Sequence, residues 1–270
     1  MMDDRLVEYA GPAGTNGPFA RLTLNSPHNR NALSTTLVNQ LHQGLRDAAD
    51  DPAVRAVVLG HSGGTFCAGA DLSEASGGDP RGSPPSALEM AAARARELTA
   101  LLRAIVASPL PVIAAIDGHV RAGGFGLVGA CDIAIAGPRS TFALTEARIG
   151  VAPAIISLTL LPKLSPRAAA RYYLTGETFD AGRAAEIGLV TMAVDDVDAA
   201  VEKVVVDVGR GSPQGLAASK ALTTATVLEG FDRDAERLTE QSAQLFVSDE
   251  AREGMLAFLQ KRPPSWVRSD

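Results

Sequence analysis

The groups in this chain best placed to do chemistry are backbone amides. In Ile116-Asp117-Gly118-His119-Val120-Arg121-Ala122-Gly123-Gly124-Phe125-Gly126, an apolar run from Pro111 to Ile116 meets adjacent glycines and then a helix-length segment of small and apolar residues. Glycine permits a sharp turn and lets a ligand reach the main chain without meeting a Cβ. If a helix begins there, its first N–H groups and the positive end of its dipole face whatever occupies the turn. Negative charge is welcome at such a point. The same glycines would equally serve the close packing of a buried helix, and short glycine motifs have many chance matches. A second stretch of the same kind shifts the balance: Phe66-Cys67-Ala68-Gly69-Ala70-Asp71-Leu72 again leaves the backbone bare at three small residues.

The segments that must position these turns alternate in type. Leu6 to Ala10 and Phe19 to Leu24 flank a Gly/Pro/Asn-rich turn and predict a hairpin. Ser34 is an N-cap for a helix with Leu37, Val38, Leu41, Leu45 and Ala48 on one face, stopped at Asp51-Pro52. Val54 to Leu59 is a continuous apolar strand of the kind buried on both faces. Ala75 to Ser86, rich in Gly, Pro and Ser, reads as a mobile loop. Ala87 to Val106 follows as a long helix with apolar residues at i, i+3, i+4 spacing. Strands at 54–59, 111–116 and 131–136, each followed by a glycine-rich turn or a helix, argue for α/β layering with parallel strands. Beyond about Ala193 strand signals vanish, and 198–209, 212–228, 231–247 and 249–260 are helix candidates. The expected division is therefore an α/β core over 1–193 and a helical region over 194–270.

With 270 residues the chain can bury a substantial core. A net charge of −6, from 25 basic and 31 acidic residues without long blocks of one sign, carries no nucleic-acid footprint. No run reaches membrane-spanning length and Met1-Met2-Asp3-Asp4-Arg5 has no signal pattern, so a cytoplasmic protein is expected. Cys67 and Cys131 lack metal-knuckle spacing, and His28, His42, His61 and His119 form no i, i+4 pair. No metal is expected.

Taken together the two turns resemble those of the crotonase superfamily, the enoyl-CoA hydratases and isomerases. So do Asn31-Ala32-Leu33, Ala130-Cys131-Asp132-Ile133, Phe142-Ala143-Leu144-Thr145-Glu146, Ile149-Gly150-Val151-Ala152-Pro153, Leu174-Thr175-Gly176, the run from Ala184 to Val190 and the run from Gly254 to Arg262. The matches span nearly the whole chain in the family's order. The resemblance implies a spiral of ββα units with a C-terminal helical region that mediates homotrimers, often paired into hexamers. It also implies an acyl-CoA thioester substrate, with coenzyme A part of the substrate and no separate cofactor. By resemblance the amides of Ala68 and Gly123 are the two oxyanion-hole donors. His28, Arg30, Ala32, Ala70, Asp71 and Leu72 would cradle the nucleotide end, and Lys261 would approach from a neighbouring subunit.

Such chemistry passes through an enolate with charge on the thioester oxygen, which two fixed N–H donors stabilise. A side chain of tunable pKa must carry the proton. The family's hydratases use two glutamates; here the first position is Gly126 and the second is Glu146, so one acid/base is expected. An acidic residue is ordinarily a solvated surface group. The matched segment and the flanking Phe142 and Leu144 point Glu146 to catalysis instead, with partial burial raising its pKa. Asp132 reads as a structural hydrogen-bonding group, Asp71 as shaping its loop, and His119 and Arg121 as supports beside the turn. The first expectation is a single-glutamate enoyl-CoA hydratase. An enoyl-CoA isomerase using the same glutamate, a non-catalytic acyl-CoA-binding protein, and a thioester hydrolase or decarboxylase are the alternatives.

Overall fold

Alternation in Phe19–Leu24 buries Ala20, Leu22 and Leu24 on one face, which fixes the register of the first hairpin: Val7–Ala10 (β1) runs antiparallel to Phe19–Leu24 (β2), Val7 opposite Leu24. In this computed structural model, which describes residues 5–15, 17–71 and 86–267, that hairpin is one edge of a six-stranded sheet. Beyond it lie Ala56–His61 (β3), Val112–Ile116 (β5), Ile133–Ala136 (β7) and Met192–Ala193 (β10), parallel to one another and to β2. Strands β3 and β5 are almost wholly buried, as parallel strands covered on both faces must be.

A smaller sheet holds Thr65–Cys67 (β4), Thr65 being opposite His119 of His119–Arg121 (β6), then Thr141–Ala143 (β8) and Phe179–Asp180 (β9), in that order. Each unit contributes a long strand to the large sheet, a short strand to the small one and then helical structure. So β3 and β4 precede Ala87–Ala107 (α3), β5 and β6 precede Gly123–Ala130 (α4), and β7 and β8 precede the 3-10 turn Glu146–Ile149. This is the ββα spiral that the resemblance implies, built on the α/β layering read from the residues.

Local signals place the helices. Ser34 accepts from the Leu37 N–H at 3.2 Å and opens Thr35–Asp50 (α2). Ser86 and Glu89 close a capping box that opens α3. One face of the large sheet is covered by α2 and α3, the other by Val197–Gly209 (α8) through Val201 and Val205. The expected mobile loop, save Ser86, lies outside the described residues.

The C-terminal helices differ from expectation in one respect. Two helices were expected over 212–228 and 231–247, whereas Pro213–Phe246 (α9) is a single helix running through Gly230, whose missing Cβ would face open space. It packs along α3 of its own chain, burying Phe231 and Lys220. The Lys220 ammonium lies 2.7 Å from Asp132 and donates to the carbonyls of Ile105 and Leu110 at 2.9 and 3.0 Å. Asp132 also accepts from the Val112 N–H at 2.7 Å, so it is the structural group the sequence suggested. Asp249–Leu259 (α10) lies against the 146–149 turn: a Cβ on Gly254 would meet Ile149 backbone at 2.5 Å and one on Gly150 would meet Glu250. Among the described residues no helix is long and apolar enough to cross a membrane.

Candidate active site

Strands β4, β6 and β8 are adjacent and parallel, and each runs off its C-terminal end into a segment of interest. Ala70 follows Cys67, Gly123 follows Arg121 and Glu146 follows Ala143 by two or three residues. With strands spaced about 4.8 Å apart, β4 and β8 are roughly 10 Å from one another. The carboxyl ends of parallel strands are where α/β folds gather ligand-binding groups.

Between Arg121 and α4 the chain turns at Ala122, which takes φ 43°, a value an L residue adopts only under constraint. Opposite it Gly69 has φ +95°; a Cβ there would stand 2.6 Å from the Ala122 Cβ and 3.2 Å from the Gly123 nitrogen. The two bare turns therefore face one another. Among the described residues neither the Ala70 nor the Gly123 N–H has a hydrogen-bond partner, although the flanking groups of Ala70 are engaged: Leu33 N–H donates to Gly69 O at 2.7 Å and Asp71 N–H to Leu33 O at 3.3 Å. Gly123 is also the first residue of α4, so the helix dipole points the same way.

Ala68, expected as one of the donors, does not fit that role. Its N–H already donates to the Arg30 carbonyl at 3.1 Å, which ties the turn to the 26–34 loop. The unpaired amide lies two residues further on.

Glu146 is buried, and its Oε2 has no hydrogen-bond partner. Burial pushes its carboxyl up to about 7, against a weaker opposing hydrogen bond from its own backbone. The position matching the family's first glutamate is closed as well as bare: a Cβ on Gly126 would meet Ile156 Cγ2 at 2.7 Å and Leu102 Cδ1 at 2.9 Å. Position 126 therefore faces hydrocarbon. Near Glu146 stand Tyr173, on Pro166–Thr175 (α6), and Ser157, their hydroxyls 3.3 Å apart. No reading of the sequence had marked either.

The structure brings His28, Arg30, Ala32, Ala70 and Asp71 into one loop cluster. Asn29 donates to Asp71 at 3.1 Å, Asn31 ties Ser26, Ser62 and Thr65 together, and Leu33 bridges to Ala70. The side chains of His28 and Arg30 are exposed, while Ala32 is buried. Asp71 shapes the loop as expected; Leu72 lies outside the described residues. Lys261, just past α10, is exposed and makes no hydrogen bond or ion pair with this cluster in its own chain. His119 and Arg121 are supports: Arg121 donates to the carbonyls of Val120 and Thr141 at 2.7 and 2.8 Å, and His119 pairs with the Thr141 hydroxyl.

The sequence profile of the enoyl-CoA hydratase/isomerase family matches residues 14–269. The chain belongs to the enoyl-CoA hydratase/isomerase family. A crystal structure of an enoyl-CoA hydratase from Mycobacterium avium is 78% identical, covers 97% of this chain and 99% of its own, and superposes with a TM-score of 0.91. The enoyl-CoA hydratase EchA19 of Mycobacterium tuberculosis is 31% identical over 261 residues, 91% of each chain. The mevalonyl-coenzyme A hydratase SidH of Aspergillus fumigatus is 31% identical over 250 residues, 91% of this chain and 90% of its own. The crotonase spiral expected from the sequence is thus the fold of this hydratase/isomerase family member, and the family is one of enzymes.

Proposed function

We propose that this protein hydrates the 2,3 double bond of an enoyl-CoA, with Glu146 as its one acid/base and the amides of Ala70 and Gly123 holding the thioester oxygen. The observation that carries this is a buried carboxyl with an unpartnered oxygen, set beyond the same strand ends as two unpaired, facing amides. Glu146 takes a proton from water as its oxygen bonds to Cβ; the C=C electrons move onto the thioester oxygen, giving an enolate. The enolate collapses as Glu146 returns that proton to Cα. Each amide donor is worth ~3 kcal/mol of barrier because it meets more charge in the enolate than in the substrate. A carboxyl near 7 suits both halves of the cycle, being readily ionised and readily reprotonated.

The 28–32 loop and Ala70-Asp71, with exposed Arg30, are the proposed seat of the nucleotide end. The proposal extends to a cytoplasmic homotrimer or hexamer in which the exposed Leu222, Phe258 and Leu259 are covered and Lys261 reaches a neighbour's site. The hydrocarbon wall of Leu102 and Ile156 at Gly126 favours a second reading, in which Glu146 shuttles a proton between allylic carbons of a 3-enoyl-CoA with no water admitted. Incubation with crotonyl-CoA and, separately, with a 3-enoyl-CoA tests both. Loss of the 2-enoyl absorbance from the first supports hydration; its appearance from the second alone supports isomerisation, and neither change overturns both.

A further inference from the structure

Addition of water asks more of a site than one base. A carboxylate accepts one of the water's hydrogens; a second contact must hold the other, or the oxygen has no fixed direction of attack on Cβ. The Gly126 wall offers only carbon. The Ser157–Tyr173 hydroxyl pair offers an acceptor, and the order of its hydrogen bonds says which atom it is. Ser157 Oγ donates to the Pro153 carbonyl at 2.8 Å, so its proton is spent. In the 3.3 Å contact with Tyr173 the tyrosine is therefore the donor, which leaves the Tyr173 oxygen with open lone pairs. Burial also pushes the Tyr173 hydroxyl up to about 12, against a lowering by its contact with Ser157, so it stays protonated.

The end of α6 that carries Tyr173 is locked to the turn that carries Glu146. Arg148 donates from Nε and Nη2 to the Thr175 carbonyl at 3.0 and 2.7 Å, and a Cβ on Gly176 would stand 3.0 Å from the Leu144 carbonyl oxygen. The Glu146 carboxyl acts electrostatically on Tyr173, and its own Oε2 is unpartnered.

Building on the hydratase reading, we propose that the Tyr173 oxygen, oriented by Ser157, accepts the second hydrogen of the attacking water while Glu146 accepts the first. Tyr173 is then a water-positioning residue that takes the place of the carboxylate absent at Gly126. The test compares wild type, Tyr173→Phe, Ser157→Ala and Glu146→Gln in two assays. One is hydration of crotonyl-CoA; the other is exchange of the Cα hydrogens of butyryl-CoA for deuterium from heavy water, which needs the base and the amides but no positioned water. Tyr173→Phe is expected to lower kcat for hydration roughly 10- to 100-fold, with exchange within about twofold of wild type. Ser157→Ala should move in the same direction by less. Hydration by Tyr173→Phe within about twofold of wild type, or a parallel fall in exchange, overturns the inference. A wild type that exchanges without hydrating overturns it too while sparing Glu146. Exchange surviving in Glu146→Gln overturns the parent reading instead.

Discussion

Ile156 Cγ2 stands 2.7 Å from the point a Cβ on Gly126 would occupy, with Leu102 Cδ1 at 2.9 Å. Position 126 is thus committed to close packing of α4 against its neighbours. Gly126→Ala should lower stability by ~1–3 kcal/mol, the usual cost of overpacking, read as a fall in the thermal midpoint. Gly126→Glu should be worse and should not raise hydration. A stable, faster Gly126→Glu enzyme would show that Ile156 and Leu102 yield.

The pH dependence of Glu146 has a definite sign. Its folded pKa, about 7, lies above the ordinary 4.5, so the native state holds a proton more tightly than the unfolded chain. The stabilising contribution is full below about 4.5 and is lost as pH rises through about 7. At one pKa unit per ~1.4 kcal/mol the swing is on the order of 3 kcal/mol. Denaturant titrations across that window should show it in wild type and not in Glu146→Gln. Catalysis runs the other way: kcat/KM should climb as the carboxylate forms and level off above about 7. The Gln variant should lose ~10²–10⁴ in rate at every pH.

The elements were legible where local chemistry decides them. Ser34 capped its helix, the alternation in Phe19–Leu24 set a hairpin, and the apolar runs at β3 and β5 became doubly buried strands. The break expected near Gly230 was wrong because helix continuity there is set by the packing of Val227, Leu228 and Phe231 into the core, which outweighs one glycine's propensity. Of the site, Glu146 and Gly123 stood out as residues, but no spacing could show that Ala68 spends its N–H on Arg30 while Ala70 does not. That depends on a bridge between loops far apart in the chain. Lys220 does leave a signal in the sequence: Thr224 and Phe231, four and eleven residues on, share its buried stripe.

Gly69→Ala probes the facing turns. An added methyl would collide with the Ala122 Cβ at 2.6 Å and crowd the Gly123 nitrogen at 3.2 Å, at a φ of +95° that alanine resists. With the Gly123 amide displaced, kcat should fall ~10²–10³-fold, the cost of losing one donor. Circular dichroism should report an intact fold, and Glu146-dependent exchange into butyryl-CoA should fall in step.

Lys220→Met should destabilise the protein by ~3–5 kcal/mol, because it strands Asp132 and the Ile105 and Leu110 carbonyls that Lys220 had held. Adding Asp132→Asn should recover part of that loss. Urea unfolding of the two variants and the wild type measures the difference; equal stability of single and double variants would show that the pair is not coupled.

Because Gly254 and Gly150 mesh α10 with the backbone around residues 146–150, the turn bearing Glu146 is braced by an element more than a hundred residues further along the chain. During synthesis α10 leaves the ribosome after every strand of both sheets, so a nascent chain can pair those strands while the 146–149 turn still lacks the helix that packs on it.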